Sequence, residues 1–252
     1  MDLGSLAIYI VLGFIAQLID GALGMAYGLI STSALLAAGA PPAIASASVH
    51  AAEMVTTGLA AGSHVWNKNV DWSVFKRLLP AGIVGGVIGA YLLTDLPETP
   101  VKIFVVVYLA AMALLILWRL FRQRQRRRRA GRLIPIGVAG GFLDALGGGG
   151  WGPMVTSTLI AQGDEPRSSI GSVSASEFFV TLAISITFIT QLDLANYGHI
   201  VLGLIIGGAI AAPFAGFLAR VLPQKLLTGI VAVVVIALAI YNFTQLGLNF
   251  GS

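Results

Sequence analysis

Hydrophobic residues run through this chain in eight long blocks, at 5–39, 43–63, 74–94, 101–120, 133–162, 169–190, 199–219 and 225–247, with short polar stretches between them. Six of the blocks are close to the ~20 apolar residues a helix needs to cross a bilayer. The other two, 5–39 and 133–162, are too long for one crossing, and glycines interrupt them at IDGALGMAYG (19–28) and LDALGGGGWGP (143–153). Inside a helix Gly costs about 1 kcal/mol and Pro about 3 kcal/mol relative to Ala. Each long block should therefore break near mid-membrane into two half-helices or form a re-entrant hairpin. The pattern predicts an all-α polytopic membrane protein of eight to ten helical segments.

The two interrupted blocks are related. A shift of 124 positions aligns residues 20–57 with 144–181 without a gap, and 14 of the 38 positions carry the same residue. Asp20, Gly24, Gly28, Thr32, Ser33, Pro42, Ser48, Glu53 and Thr57 are among them, and Tyr27 meets Trp151. The chain thus divides into a transmembrane repeat at 1–121, a basic linker at 122–132 and a second transmembrane repeat at 133–252, forming one membrane domain.

Basic residues report on orientation. Eight of the 15 Lys and Arg lie between Arg119 and Arg132. Such a run can bind nucleic acid or anionic lipid, but between hydrophobic helices it reads as a cytoplasmic loop. No nucleic-acid partner is expected. If each broken block crosses once, the halves are parallel and 11 of the 15 basic residues face inward. If each block enters and returns, 14 of the 15 do, with Lys102 alone opposite. Inverted repeats satisfy the positive-inside rule better, and transporters of that design hold substrate near the midplane.

Composition narrows the function. Residues are 57% hydrophobic and only 10% charged, against about 25% charged in soluble domains, and mean hydropathy is +0.89. Membrane crossings use up the length, so no sizeable extramembrane catalytic domain is expected. Cysteine is absent, which removes thiol catalysis and disulfides. The start, MDLGSLAIYI, has an acid where a signal peptide is basic and reads as a retained first helix.

Four acids fall at membrane depth, Asp20 and Asp144 at the glycine breaks and Glu53 and Glu177 in the helices that follow. A charged acid at the bilayer centre costs about 2.5–3.5 kcal/mol, so such groups face a cavity, find donors or carry a proton. The aspartates could simply cap the half-helices, and the glutamates could bond neighbouring hydroxyls. The competing expectation is a role in proton coupling or gating, shared with His50, one helical turn before Glu53. No Lys or Arg falls inside a hydrophobic block, so an anion would meet only neutral donors. The breaks supply these. Tyr27, Gly28, Thr32 and Ser33, and Gly148, Gly149, Gly150, Trp151, Thr156 and Ser157, open helices whose first N–H groups lack intrahelical partners. Ser48 and Ser172 add matched hydroxyls. These residues are the candidate substrate-binding set. The glycine runs at 83–90 and 203–216 are better explained by helix packing. Three scattered histidines make no metal constellation, and no cofactor is expected.

Two halves each opening with D-x-x-x-G-x-x-x-G, a Ser/Thr-rich helix bearing a glutamate, and a basic central loop resemble the sulfite exporter TauE/SafE family of membrane transporters. The resemblance spans essentially the whole chain, and Asp144 to Pro153 carries it most specifically; GALGMAYG in the first half has fewer glycines than the family's usual cluster. It implies transport of small sulfur-containing anions, sulfite or organosulfonates, usually outward. The expected protein is therefore an anion transporter of the cell inner membrane, with lipid and a small anion as its partners. Small-residue faces could also serve a homodimer. A proton- or sodium-coupled cation carrier using the four acids is the alternative. An intramembrane enzyme lacks any recurring Ser–His–acid arrangement, so no catalytic residue is expected.

Overall fold

The computed structural model describes residues 3–121, 133–162, 164–193, 197–221 and 223–250. The expected basic linker, 122–132, lies outside the described residues. The first half folds as α1 (Leu3–Leu23), α2 (Tyr27–Ala37), α3 (Pro42–Trp66), α4 (Trp72–Asp95) and α5 (Glu98–Phe121). The second follows as α6 (Leu133–Gly147), a π-helical turn (Gly152–Thr156), α7 (Ser157–Ala161), α8 (Pro166–Gln191), α9 (Gly198–Val221) and α10 (Gln224–Phe250). Both interrupted blocks break at the glycines, giving ten α-helices among the described residues.

Five helices are long and apolar enough to cross a membrane: those at 4–23, 72–95, 98–118, 167–191 and 225–246. At 25 residues α3 has the length but lacks the hydropathy, because it carries Ser46, Ser48, His50, Glu53, Thr56 and Thr57. All six are buried. The helix therefore turns its polar side inward, while Val11, Ile15, Val84, Ile88, Val107, Ile186, Ile210 and Val233 stand exposed on other helices as a surface suited to lipid. This is an integral membrane protein.

Glycine seams hold the bundle. α1 packs on α9, and a Cβ on Gly13 would lie 2.5 Å from the Leu204 carbonyl oxygen. α6 packs on α4 in the same way, with Gly89 set 2.5 Å, on the same measure, from the Phe142 carbonyl oxygen. Backbones this close gain dispersion contacts that side chains would block. Gly85, Gly86 and Gly89, and Gly203, Gly207 and Gly208, thus have the packing role their spacing suggests.

The direction of each helix follows from its contacts. His50 of α3 faces Phe188 of α8, Gly58 faces Phe178, and Asn69, just past α3, meets Gly171. Sequence numbers fall on α8 as they rise on α3, so these two helices run antiparallel. Tyr9 of α1 lies on His199 at the start of α9, which places the start of α1 beside the end of α8 and the start of α3. Since α2 leads directly into α3, α1 and α2 enter the bundle from one end and return to it. Gly137 of α6 packs on Ala81 of α4, and Ser172 of α8 bonds Asp71, so α6 and α7 enter and leave at the opposite end. Lys68, Lys76, Arg77 and Arg167 gather at that second end, whereas Asp95 and Glu98 lie at the first.

Candidate functional site

The two hairpins meet tip to tip inside the bundle. Gly24 and Gly148, equivalent under the 124-residue shift, both have left-handed backbones, with φ of +71° and +65°; a side chain there would be strained. Each turn is held by an aspartate four residues earlier. Asp20 Oδ1 accepts the Ala26 N–H at 2.6 Å and the Tyr27 N–H at 3.0 Å. Asp144 Oδ1 accepts the Gly150 N–H at 2.6 Å and the Trp151 N–H at 2.9 Å. Both aspartates therefore cap returning helices, meeting orphan donors that buried helix ends must satisfy.

Across the tips, the Thr32 hydroxyl donates to the Gly148 carbonyl. Gly28 and Gly149 touch through their backbones: a Cβ on Gly28 would fall 2.5 Å from Gly149 Cα and 3.1 Å from Glu53 Oε1. The Tyr108 hydroxyl donates to the Gly149 carbonyl at 3.2 Å and steadies the second tip from α5.

A small polar cavity lies at this junction. Asp20, Glu53, Asp144 and Glu177 line it together with Tyr27, Gly28, Gly149 and Gly150, bringing eight of the sequence-predicted residues into one place. No Lys or Arg is among the lining residues. The cavity volume is about 20 Å³, enough for about one water and, in this conformation, too small for a sulfur oxyanion.

Other predicted residues stand behind the cavity or away from it. Trp151 is fully buried, and its indole N–H donates to the Val173 carbonyl at 3.2 Å, so the ring braces the tip against α8. Ser33 is buried, and its carbonyl accepts the Asn242 side chain at 3.2 Å. The Ser48 hydroxyl is buried, Thr156 lies within the π-helical turn, and the Ser157 hydroxyl donates to the Pro153 carbonyl. Ser172 is at the end of the bundle, where its hydroxyl accepts the Asp71 N–H at 2.8 Å. His50 sits directly behind Asp144, with Nε2 3.3 Å from Oδ2.

The candidate set does not name Met25, Leu29, Thr56, Thr57, Gly152 or Pro153, which also line the cavity; Gly152 and Pro153 lie within the interrupted stretch and Thr57 within the repeat, but none carries an assigned binding role. A signal existed for the threonines. They lie one turn beyond Glu53 on α3 and donate to its carbonyl, Thr57 at 2.6 Å and Thr56 at 3.3 Å.

Sequence comparison relates this helical membrane bundle to known proteins. The model of the sulfite exporter TauE/SafE family matches residues 9–242. The chain belongs to the sulfite exporter TauE/SafE family. The chain is also 40% identical over 225 residues to the "Probable membrane transporter protein YtnM" of Bacillus subtilis (strain 168), covering 86% of this chain and 75% of that protein. No solved structure matches this TauE/SafE protein significantly.

Proposed function

We propose that this TauE/SafE protein is a secondary transporter that moves a small sulfur-containing anion, sulfite or an organosulfonate, outward through the cavity between the hairpin tips. The observation that carries this reading is the meeting of two capped helix starts, from opposite ends of the bundle, around a cavity without a fixed cation. The first-turn N–H groups of Gly28 and Leu29 have no intrahelical acceptor, whereas the hydroxyls of Tyr27 and Thr57 are already donated to the Leu204 and Glu53 carbonyls. Such N–H donors bind an anion weakly enough to release it. Moving one negative charge outward across an inside-negative membrane is favourable by about 2.3 kcal/mol per 100 mV.

The antiparallel run of α3 and α8, which are repeat-equivalent, supports an inverted arrangement of the two halves. The gathering of Lys68, Lys76, Arg77 and Arg167 at one end supports placing that end, with the arginine-rich linker, in the cytoplasm of a cell inner membrane. Glu53 and Glu177 are the groups that decide whether an anion is admitted. As carboxylates they would repel it; protonated, they become donors. Asp20 acts through its cap on the first tip.

The four carboxylates also favour a second reading, a proton- or sodium-coupled cation carrier. Flux in proteoliposomes under an imposed membrane potential separates the two. Potential-driven efflux of sulfite or methanesulfonate supports the anion transporter. Transport that ignores both anions and follows Na⁺ or H⁺ sinks that reading in favour of the carrier.

A further inference from the structure

The geometry points to a single-proton site formed across the two halves by His50 of α3 and Asp144 of α6, which couples proton release to movement of the second hairpin tip. This rests on the transporter reading above and names a proton carrier other than the cavity glutamates.

Counting hydrogens around the imidazole leads to this site. The Ser46 hydroxyl donates to the Ala145 carbonyl at 2.6 Å, so its one proton is not available to His50. His50 Nδ1 lies 2.8 Å from the Ser46 carbonyl oxygen. A carbonyl can only accept, so Nδ1 carries a hydrogen. Nε2 then faces Asp144 Oδ2 at 3.3 Å, and in a neutral ring with hydrogen on Nδ1 both of these atoms would be acceptors. A proton must stand between them, either as imidazolium with carboxylate or as imidazole with carboxylic acid. Both forms hold one proton and no net charge, which suits a pair with the histidine fully buried and Asp144 nearly so, because an unpaired buried charge is costly.

The pair is wired to the tip. The other oxygen of Asp144 holds the Gly150 and Trp151 N–H groups, and two residues before Gly150 the Gly148 carbonyl receives the Thr32 hydroxyl. Loss of the proton to cavity water leaves a carboxylate oxygen facing a nitrogen lone pair. That contact opens, Asp144 shifts, and its cap on the tip shifts with it. Other elements add Phe188 of α8 against the imidazole and Tyr108 of α5 on the Gly149 carbonyl. Asp20, Tyr27, Glu53 and Glu177 are the remaining titratable groups around the cavity, and none of them hydrogen-bonds the imidazole. The second half has Ser174 where the first has His50, so only one of the two tips carries this device.

Two measurements test the site. The first needs no substrate: nitrogen NMR of the full chain with His64→Gln and His199→Gln, so that His50 is the sole histidine, combined with infrared detection of the Asp144 carboxyl group across pH. The expected result is hydrogen on Nδ1 throughout and one proton per pair, seen either on Nε2 or as an Asp144 acid band, lost in a single step as pH rises. In Asp144→Asn the amide caps the tip and donates to Nε2, so the step should vanish. Hydrogen on Nε2 with bare Nδ1 at every pH, or a pair without a proton at every pH, overturns the site. The second measurement follows protons and sulfite together in proteoliposomes, because a sulfite dianion with one proton still carries negative charge outward, whereas methanesulfonate with one proton is electroneutral and does not respond to the potential. Wild type should move protons with the anion, and His50→Gln and Asp144→Asn should lose that accompaniment. Anion flux in wild type without proton movement overturns the coupling while leaving the transporter intact. Absence of flux for both sulfite and methanesulfonate overturns the transporter reading and the coupling with it, while the spectroscopic result still decides whether the proton site exists.

Discussion

Thr32 of the first hairpin donates its hydroxyl to the carbonyl of Gly148 in the second, a direct hydrogen bond between the two tips. Both partners are buried. A site closed by such a bond must break it to admit an anion. In Thr32→Val the bond is gone while the shape is kept. A net hydrogen bond is worth roughly 1 kcal/mol, so opening becomes easier by about fivefold if tip separation limits transport. Efflux from proteoliposomes should rise by up to that factor, the melting temperature should fall slightly, and Thr32→Ser should behave as wild type. An unchanged rate in Thr32→Val would show that tip separation is not the slow step.

Glycine substitutions should divide sharply by position. A methyl on Gly28 meets Gly149 Cα at 2.5 Å, backbone against backbone, with no flexible side chain to yield. Gly28→Ala should cost about 1–3 kcal/mol as overpacking and abolish transport by wedging the tips. A methyl on Gly62 or Gly229 meets nothing within 4 Å. Gly62→Ala and Gly229→Ala should be neutral or stabilising by up to about 1 kcal/mol, the helix-propensity gain. Thermal unfolding in detergent together with flux measures both groups.

The cavity glutamates should govern anion affinity through pH. As pH rises, Glu53 and Glu177 lose protons, negative charge enters the cavity, and the KM for the anion should rise. Glu53→Gln and Glu177→Gln stay neutral throughout, so their KM should lose part of that pH dependence, with the largest gain over wild type at high pH. A wild-type pH profile retained in both variants would remove the glutamates from this role.

How far the sequence carries can be judged at the tips. Asp20 with Gly24 and Asp144 with Gly148 were legible as breaks, because a helix interior does not tolerate those glycines and the 124-residue repeat marks the same residues twice. The caps were legible too, since a short acceptor just before a glycine turn has few other partners. What Trp151 does was not legible. Its equivalence to Tyr27 suggests an indole on the pathway, but the ring turns away and packs where Gly82 and Gly140 leave room. The His50 and Asp144 contact was equally hidden, for it joins residues 94 positions apart and depends on which turn of α6 docks on α3.

That placement makes Trp151 a test of its own. Trp151→Phe leaves a packed ring but removes the indole donor from the Val173 carbonyl, which keeps the Ser176 hydroxyl at 2.9 Å. Stability should drop by about 0.5–1.5 kcal/mol, and the preference among sulfite and sulfonates should not change. A changed preference would put the indole in contact with substrate.

The hairpins themselves can be tested by side-specific labelling, for which a chain without cysteine is well suited. Gly4 at the start of α1, Ala38 between α2 and α3, and Lys68 are all exposed. If α1 and α2 enter and return at one end, Ala38→Cys shares its side with Gly4→Cys, and Lys68→Cys reacts from the opposite one. With Lys68 expected on the cytoplasmic side by the positive-inside rule, a membrane-impermeant thiol reagent added to whole cells should label Gly4→Cys and Ala38→Cys, and should reach Lys68→Cys only after the cells are opened. A continuous crossing through the first block, by contrast, would bring Ala38 to the far end from the start of α1. Labelling of Gly4→Cys together with Lys68→Cys, and apart from Ala38→Cys, would rule out the opposed hairpins and with them a site between their tips.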